Sequence, residues 1–255
     1  MKKNSTLKLF VFLFVSLMAS SAFAQDGSIL GMPALTSSVG ENGEATYSLS
    51  LQILVLMTVL TLVPSIVLGM TAFTRVIIVL SILRQALGTQ QTPPNQVLIA
   101  IALFITFYVM SPIFEILYET ALNPYLEGTT SAQAALAIAT DLLKEFMVAN
   151  TRSSTMNMFA EMAGEGPFED TQAIPLSIVL PSFITSELKT AFEIGFLIFM
   201  PFLVIDFVIA SILMSLGMMM LSPMLISLPF KLLLFVLVDG WAMTIGSLSS
   251  TFVVG

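Results

Sequence analysis

Apolar residues gather in long blocks at about 49–70, 96–118, 191–216 and 227–252, with polar stretches between them. No charge occurs from Ala45 to Thr74 or from Phe207 to Phe230. Each block approaches or exceeds the roughly 20 residues a helix needs to cross a bilayer. Hydrophobic helices are therefore predicted at all of these positions. Between the first two lies FTRVIIVLSILRQALGTQQTPPNQ. Its first part reads as an apolar helix with Arg75 and Arg84, which Gly88 and then Pro93-Pro94 bring to an end.

The polar region at about 119–180 also reads as helical. Leu136, Ala139, Leu143, Phe146 and Met147 recur on one face from 131 to 149, opposite Gln133, Thr140, Asp141, Lys144 and Glu145. A second, shorter helix follows, with Met156, Phe159 and Met162 on one side, and GEGPFED breaks it. Residues 25–47 are rich in Gly, Ser and Asn and read as irregular.

Composition narrows the class. Hydrophobic residues make up 56% of the chain and charged ones 10%, against about a quarter charged in soluble domains. Cysteine and histidine are absent. That excludes disulfides, thiol nucleophiles, imidazole bases and zinc sites, and leaves a metal only carboxylates and carbonyls. With a net charge of −7 and no basic run beyond the N-terminus, nucleic acid is not an expected partner. No cofactor is expected either.

The N-terminus has the layout of a bacterial secretory signal. MKKNSTLK is basic, LFVFLFVSLMASS is a short apolar core, and Ala22-Phe23-Ala24 supplies a small-x-small cleavage site. Removal of 1–24 takes Lys2, Lys3 and Lys8 with it, and the net charge becomes −10. Loop charge gives the orientation. Two arginines and no acid occupy 71–95, while 119–180 holds Lys144 and Arg152 against eight acids. By the positive-inside tendency the first loop is cytoplasmic, and the N-terminus, 119–180 and the C-terminus are extracytoplasmic.

The hydrophobic segments would face lipid poorly. Pro64, Pro112, Pro201 and Pro229 fall within or beside them, and so do Glu115, Asp206, Lys231 and Asp239. An ionisable side chain at bilayer depth costs on the order of 3 kcal/mol or more, and proline frees carbonyls that lipid cannot satisfy. Buried helices of an oligomer are the expectation. Glu187, Glu193, Asp206 and Asp239 can pair with Lys189 and Lys231. Lys189 and Glu193 are spaced for an intrahelical pair. Glu187 and Lys231 suit a bridge between hairpins or between subunits.

Catalytic motifs fail on context. Ser186-Glu187-Leu188-Lys189 has S-x-x-K spacing but lacks the companion motifs of penicillin-binding enzymes. Gly164-Glu165-Gly166-Pro167 has no preceding strand and no following lysine, so it is no phosphate loop. An aspartyl pair would require Asp206 and Asp239 to meet. No catalytic, cofactor-binding or metal-binding residue is assigned, and no enzyme is expected. Broken helices with intramembrane charges also suit a secondary transporter or ion channel, but no internal repeat supports that.

Met218, Met219 and Met220 stand in succession in GMMML. On a helix they would point about 100° apart, so they cannot share one packing face. On the residues alone, the run serves equally as filler of an irregular core near Pro223 or as the lining of a pore.

MTAFTRVIIVLSILRQALGTQQTPPNQVL (70–98) closely resembles a signature of the FliP family of flagellar biosynthesis proteins. So does SELKTAFEIGFLIFMPFLVIDFVIASILMSLGMMMLSP, followed by ISLPFKLLLFVLVDGW, over 186–241. The resemblance runs in order over about 49–255 and is weakest in 119–180. It implies a core subunit of a type III secretion export gate in the bacterial inner membrane, inside the flagellar basal body, with a large periplasmic part. It also implies a homo-oligomeric ring of five, joined to Q-type and R-type gate subunits. A B-type subunit wraps that gate, an O-type assembly factor helps build it, and a basal body membrane ring surrounds it. Unfolded flagellar proteins pass through, driven mainly by proton motive force. The hairpins are then packed as a cone, much of it above the usual membrane plane, in place of a simple four-span arrangement. Met218, Met219 and Met220 become a pore gasket, and Glu187, Lys189, Asp206, Lys231 and Asp239 become inter-helix or inter-subunit charges.

The expected fold is all-α, an integral membrane protein of broken hydrophobic helical hairpins packed as a subunit of an oligomeric helical pore. Its expected parts are a signal peptide (1–24), an irregular extracytoplasmic segment (25–48), a first hydrophobic hairpin (49–118), a polar helical extracytoplasmic region (119–180), and a second hydrophobic hairpin with the methionine gasket (181–255).

Overall fold

A computed structural model describes residues 48–89, 91–166, 168, 170–218 and 221–253. The segment read as a signal peptide, 1–24, the stretch 25–47, and Met219 and Met220 lie outside the described residues. Every regular element among the described residues is a helix. In chain order they are α1 (Ser48–Gly69), α2 (Phe73–Ala86), α3 (Asn95–Leu117), α4 (Asn123–Leu126), α5 (Ala132–Ala149), α6 (Ser153–Ala163), α7 (Leu176–Ser215), α8 (Pro223–Leu237) and α9 (Gly240–Ser250). A π turn, Tyr118–Leu122, carries α3 into α4. The chain divides into two compact units, Met1–Pro64 and Ser65–Gly255. In the first, Leu54, Leu56 and Leu60 of α1 are exposed. Everything below concerns the second.

Among the described residues two stretches are long and apolar enough to cross a membrane, Asn95–Leu126 and Leu176–Ser215, or up to four if each bent pair of helices counts as one span. At 1.5 Å per residue, the 40 residues of α7 reach about 60 Å, twice the roughly 30 Å hydrocarbon core. Its two halves differ accordingly. Ile178, Val179, Phe183, Glu187 and Ala191 of the first half are buried, whereas Phe196, Leu197, Val204, Phe207 and Val208 of the second are exposed.

The prolines do not make the breaks. Pro64, Pro112, Pro181, Pro201 and Pro229 all lie inside helices. Several turns between helices instead sit at left-handed residues, among them Gly88 (φ 79°), Gly217 (φ 72°) and Asp239 (φ 49°). At Pro112 a local substitute is visible. Proline has no N–H for the carbonyl of Tyr108, and the Ser111 hydroxyl donates to that oxygen at 2.8 Å.

The main core joins α2, α3, α5, α6 and the first half of α7 through Val76, Val79, Ala102, Met110, Met147 and Phe183. A smaller core of Leu83, Ala86, Leu87, Phe202 and Phe235 joins α2, α7 and α8. Leu136, expected on the inward face of α5, is 69% exposed, while Phe146 and Met147 are buried. Only the C-terminal end of α5 reaches the core. Met162 of α6 is exposed for the matching reason at its own far end, while Met156 near its start is buried.

Helices α2 and α7 approach closely because of Gly195. A Cβ there would collide with the end of the Ile82 side chain and lie 3.2 Å from its Cβ, which cannot swing away. Gly195→Val is therefore expected to destabilise the chain by about 1–3 kcal/mol, in the range of overpacked cores. Thermal unfolding in detergent should show Gly195→Ala as milder, and Ile82→Ala should rescue Gly195→Ala in part.

Candidate functional site

Met218, the described residue of the methionine run, lies off the helices. Helix α7 closes on Leu216 as its C-cap. The Gly217 N–H donates to the Met214 carbonyl at 3.0 Å, and the Met218 N–H to the Leu213 carbonyl at 2.9 Å. This pair of bonds with a left-handed glycine is a Schellman closure. It fixes where the helix stops, and the chain then crosses to Pro223, the first residue of α8. No shared helical face is needed in such a loop. The Met218 side chain is 42% exposed, and Met214, Leu221 and Met224 around the loop are exposed as well. Met214 and Met224 were not singled out from the sequence. Their signal was the same residue type recurring within ten positions of the run.

Below this loop, α7 and α8 are clasped by charge. The Lys231 ammonium donates to Asp206 Oδ2 at 2.6 Å and to the Ala86 carbonyl at 3.1 Å, while the Ser227 hydroxyl donates to Asp206 Oδ1 at 2.6 Å. Ala86 ends α2, so the buried cation also sits at the negative end of that helix. One ammonium thus ties three helices. Asp206 and Lys231 each lie about two and a half turns from the loop.

A second polar cluster lies farther back along α7, in its first half. The Arg75 guanidinium makes a two-pronged ion pair with Glu187, its Nε donating to Oε2 at 2.9 Å and its Nη2 to Oε1. Its remaining terminal nitrogen donates to the carbonyl and hydroxyl of Thr251, both at 2.9 Å. The Phe252 ring lies 3.9 Å from the guanidinium carbon, a cation–π contact. Asn150 clips the next residue through two bonds with the Val253 backbone. The expected bridge between Glu187 and Lys231 is therefore not formed within the chain. Glu187 and Asp206 stand about 28 Å apart along α7, and each has its own cation.

Arg152 makes the third ion pair, with Glu193, and it also reaches the Thr190 hydroxyl at 3.3 Å. Its backbone N–H donates to Ser186 Oγ at 3.0 Å. The loop before α6 is thereby seated on α7. Glu193 pairs with Arg152 and not with Lys189, which is exposed. The S-x-x-K spacing also dissolves here, because Ser186 is fully buried against Arg152. Asp239 occupies the left-handed turn between α8 and α9, two helices bent by 64°. Arg75 and Arg152 are the residues that sequence reasoning missed. Arg75 was read in an apolar helix, as it is, but was counted with the loop charges, whereas it is buried at 3% exposure. The positive-inside argument for 71–95 loses one of its two arginines.

These features define a class: an all-helical protein with helices fit to span a membrane, with polar groups neutralised inside the chain and large apolar side chains turned outward. Residues 56–248 match the FliP family, and the chain belongs to it. It is 64% identical over 222 residues to "Flagellar biosynthetic protein FliP" of Cereibacter sphaeroides, covering 87% of this chain and 73% of that one. The protein of the same name from Buchnera aphidicola subsp. Acyrthosiphon pisum is 47% identical over 251 residues, 98% of this chain and 65% of its own length. The protein of the same name from Pectobacterium carotovorum is 48% identical over 235 residues, 92% and 89% of the two chains.

Proposed function

We propose that the chain is a pore-forming core subunit of the flagellar type III protein export gate, through which unfolded flagellar proteins cross the inner membrane. The observation that carries this reading is family membership over 56–248, in a chain whose relatives are named as flagellar biosynthetic proteins. Together with the apolar helices it supports a membrane component of flagellar biosynthesis and export that acts as a structural part and not as an enzyme. The finer reading is ours. It comprises a homo-oligomeric ring joined to Q-type, R-type and B-type subunits, an O-type assembly factor, a basal body ring around it, and a large periplasmic part. The outward apolar faces of α3 and α7, with Phe104 and Leu197 exposed, support burial against other helices. The capped loop that presents Met218 supports a lumen-facing gasket.

A photocrosslinking residue at Met218 tests it. An export substrate with a folded C-terminal fusion stalls in the gate. The stalled chain is expected to crosslink to position 218 and not to Phe104, on the outer face of α3. Equal labelling at both positions, or labelling at Phe104 alone, would remove Met218 from the path.

A further inference from the structure

Helices α2 and α8 enclose an open groove of about 590 Å³ lined by Ile77, Ile78, Ser81, Ile82, Arg84 and Gln85 on one side and Met224 on the other. Three isoleucines and Met224 give it an apolar side, Ser81, Arg84 and Gln85 a polar one, and Met224 also borders a second hollow of about 370 Å³ beside Gly88, Gln91, Leu225 and Leu228. Among the described residues that line the larger groove, Arg84 alone carries a formal charge, and the Lys231 ammonium beside Gly88 is already paired with Asp206. Arg75 and Arg152 each grip a glutamate with two nitrogens. Arg84 has no such partner among the described residues. One nitrogen donates to the Pro93 carbonyl at 3.2 Å and to Asn95 Oδ1 at 2.6 Å, both neutral oxygens. The sequence from Phe73 to Gln96 contains no acid to supply one. The loop that follows α2 thus holds Arg84 at the end of an apolar channel, with its charge uncompensated.

We propose that this groove binds an anionic phospholipid, with an acyl chain along Ile77, Ile78, Ile82 and Met224 and the phosphate at Arg84. A soluble anion would gain nothing from the aliphatic walls, and a neutral lipid would leave the guanidinium without a counter-charge. Basic pockets between membrane helices take acidic headgroups for this reason. The size fits a chain-sized ligand, within the few hundred to about 1,000 Å³ of ordinary ligand pockets. The proposal goes beyond the export-gate reading and requires only that the chain lie in a membrane.

Native mass spectrometry of the purified full-length chain reads it directly. The protein is mixed with micelles carrying equal phosphatidylglycerol and phosphatidylcholine. The wild type is expected to retain phosphatidylglycerol about fivefold over phosphatidylcholine, the effect of one basic residue at a membrane surface. Arg84→Gln should erase that preference while keeping a donor for Pro93, and Arg84→Lys should keep most of it. Ser81→Leu, which fills the groove, should lower retention of both lipids. Inorganic phosphate alone should not compete. Raised salt on the wild type should reduce the preference, a measurement that stands even if the variants fold poorly. Equal retention of the two lipids by the wild type would overturn the proposal. So would an unchanged preference in Arg84→Gln, competition by free phosphate, or an oligomer that carries no lipid, which would assign the groove to a neighbouring subunit.

Discussion

Glu187→Ala is expected to cost the folded chain about 3–5 kcal/mol, and Arg75→Ala at least as much. Glu187 is 0% exposed and meets Arg75 through two nitrogens. Removing the carboxylate leaves a buried guanidinium with only Thr251 and the Phe252 ring for company. Removing the guanidinium does more. It strands a carboxylate among apolar side chains, releases the chain at Thr251, and takes the cation from Phe252, which stacks on Phe146 in the main core. Thermal unfolding in detergent should fall by about 6–20 °C for either change, from the usual 2–4 °C per kcal/mol in a chain of this size. The paired change Arg75→Met with Glu187→Leu should recover most of the loss, because an apolar pair of similar volume replaces a desolvated ion pair at little net cost. A single mutant as stable as wild type would mean that water reaches the pair and that the burial described here is absent in solution.

The same logic corrects the expected partners of the second lysine. Lys231→Glu should be rescued by Asp206→Lys and not by any change at Glu187. The separation of Glu187 from Asp206 along one helix forbids the other pairing within one chain, and each carboxylate already holds its own cation there. The charges themselves were legible in the sequence, since an ionisable residue in an apolar run has to find a partner. Which partner was not legible, because that depends on which faces of α2, α7 and α8 meet. That contact is set by Gly195 and by small residues such as Ala86 and Ala191, which carry no charge signal. Arg75 was hidden for a related reason. It was read within an apolar helix and counted as loop charge for orientation, but nothing local to it shows that Glu187, far along the chain, lies against it. The helical character of 131–149 and 153–163 was readable from periodicity alone. Leu136 shows the limit of that reading, because a face can be apolar where no neighbour within the chain covers it. The unbroken course of α7 through Pro181 and Pro201 was not readable either. Proline marks a break only when nothing else holds the helix, and here α2 and α6 pack along its first half, while α2 and α8 hold Phe202 beside Pro201.

Cutting Met218, Met219 and Met220 back to alanine together is expected to make the proposed gate leak small ions in its closed state while leaving the subunits assembled. Met218 stands in a loop that the Schellman closure at Gly217 fixes in place, and its side chain is turned away from both cores. Its loss should therefore cost little folding energy, and the effect should fall on whatever the loop faces. In the ring proposed above that would be the axis, where flexible thioethers would fill the opening without a fixed shape. Reduced to methyl groups, the same ring leaves room for a continuous water path where dewetting had closed it. Planar-bilayer recordings of the purified oligomer should show conductance in the alanine variant at potentials where wild type is silent. The strain should also grow more slowly when the variant is overproduced. Changing all three methionines to leucine keeps the volume and should keep the seal. Branching at Cγ removes much of the compliance, however, so export of large substrates through the leucine ring should slow. An alanine ring that assembles and stays as tight as wild type would make the methionines packing material. A leucine ring that seals and exports at the normal rate would show that volume matters and flexibility does not.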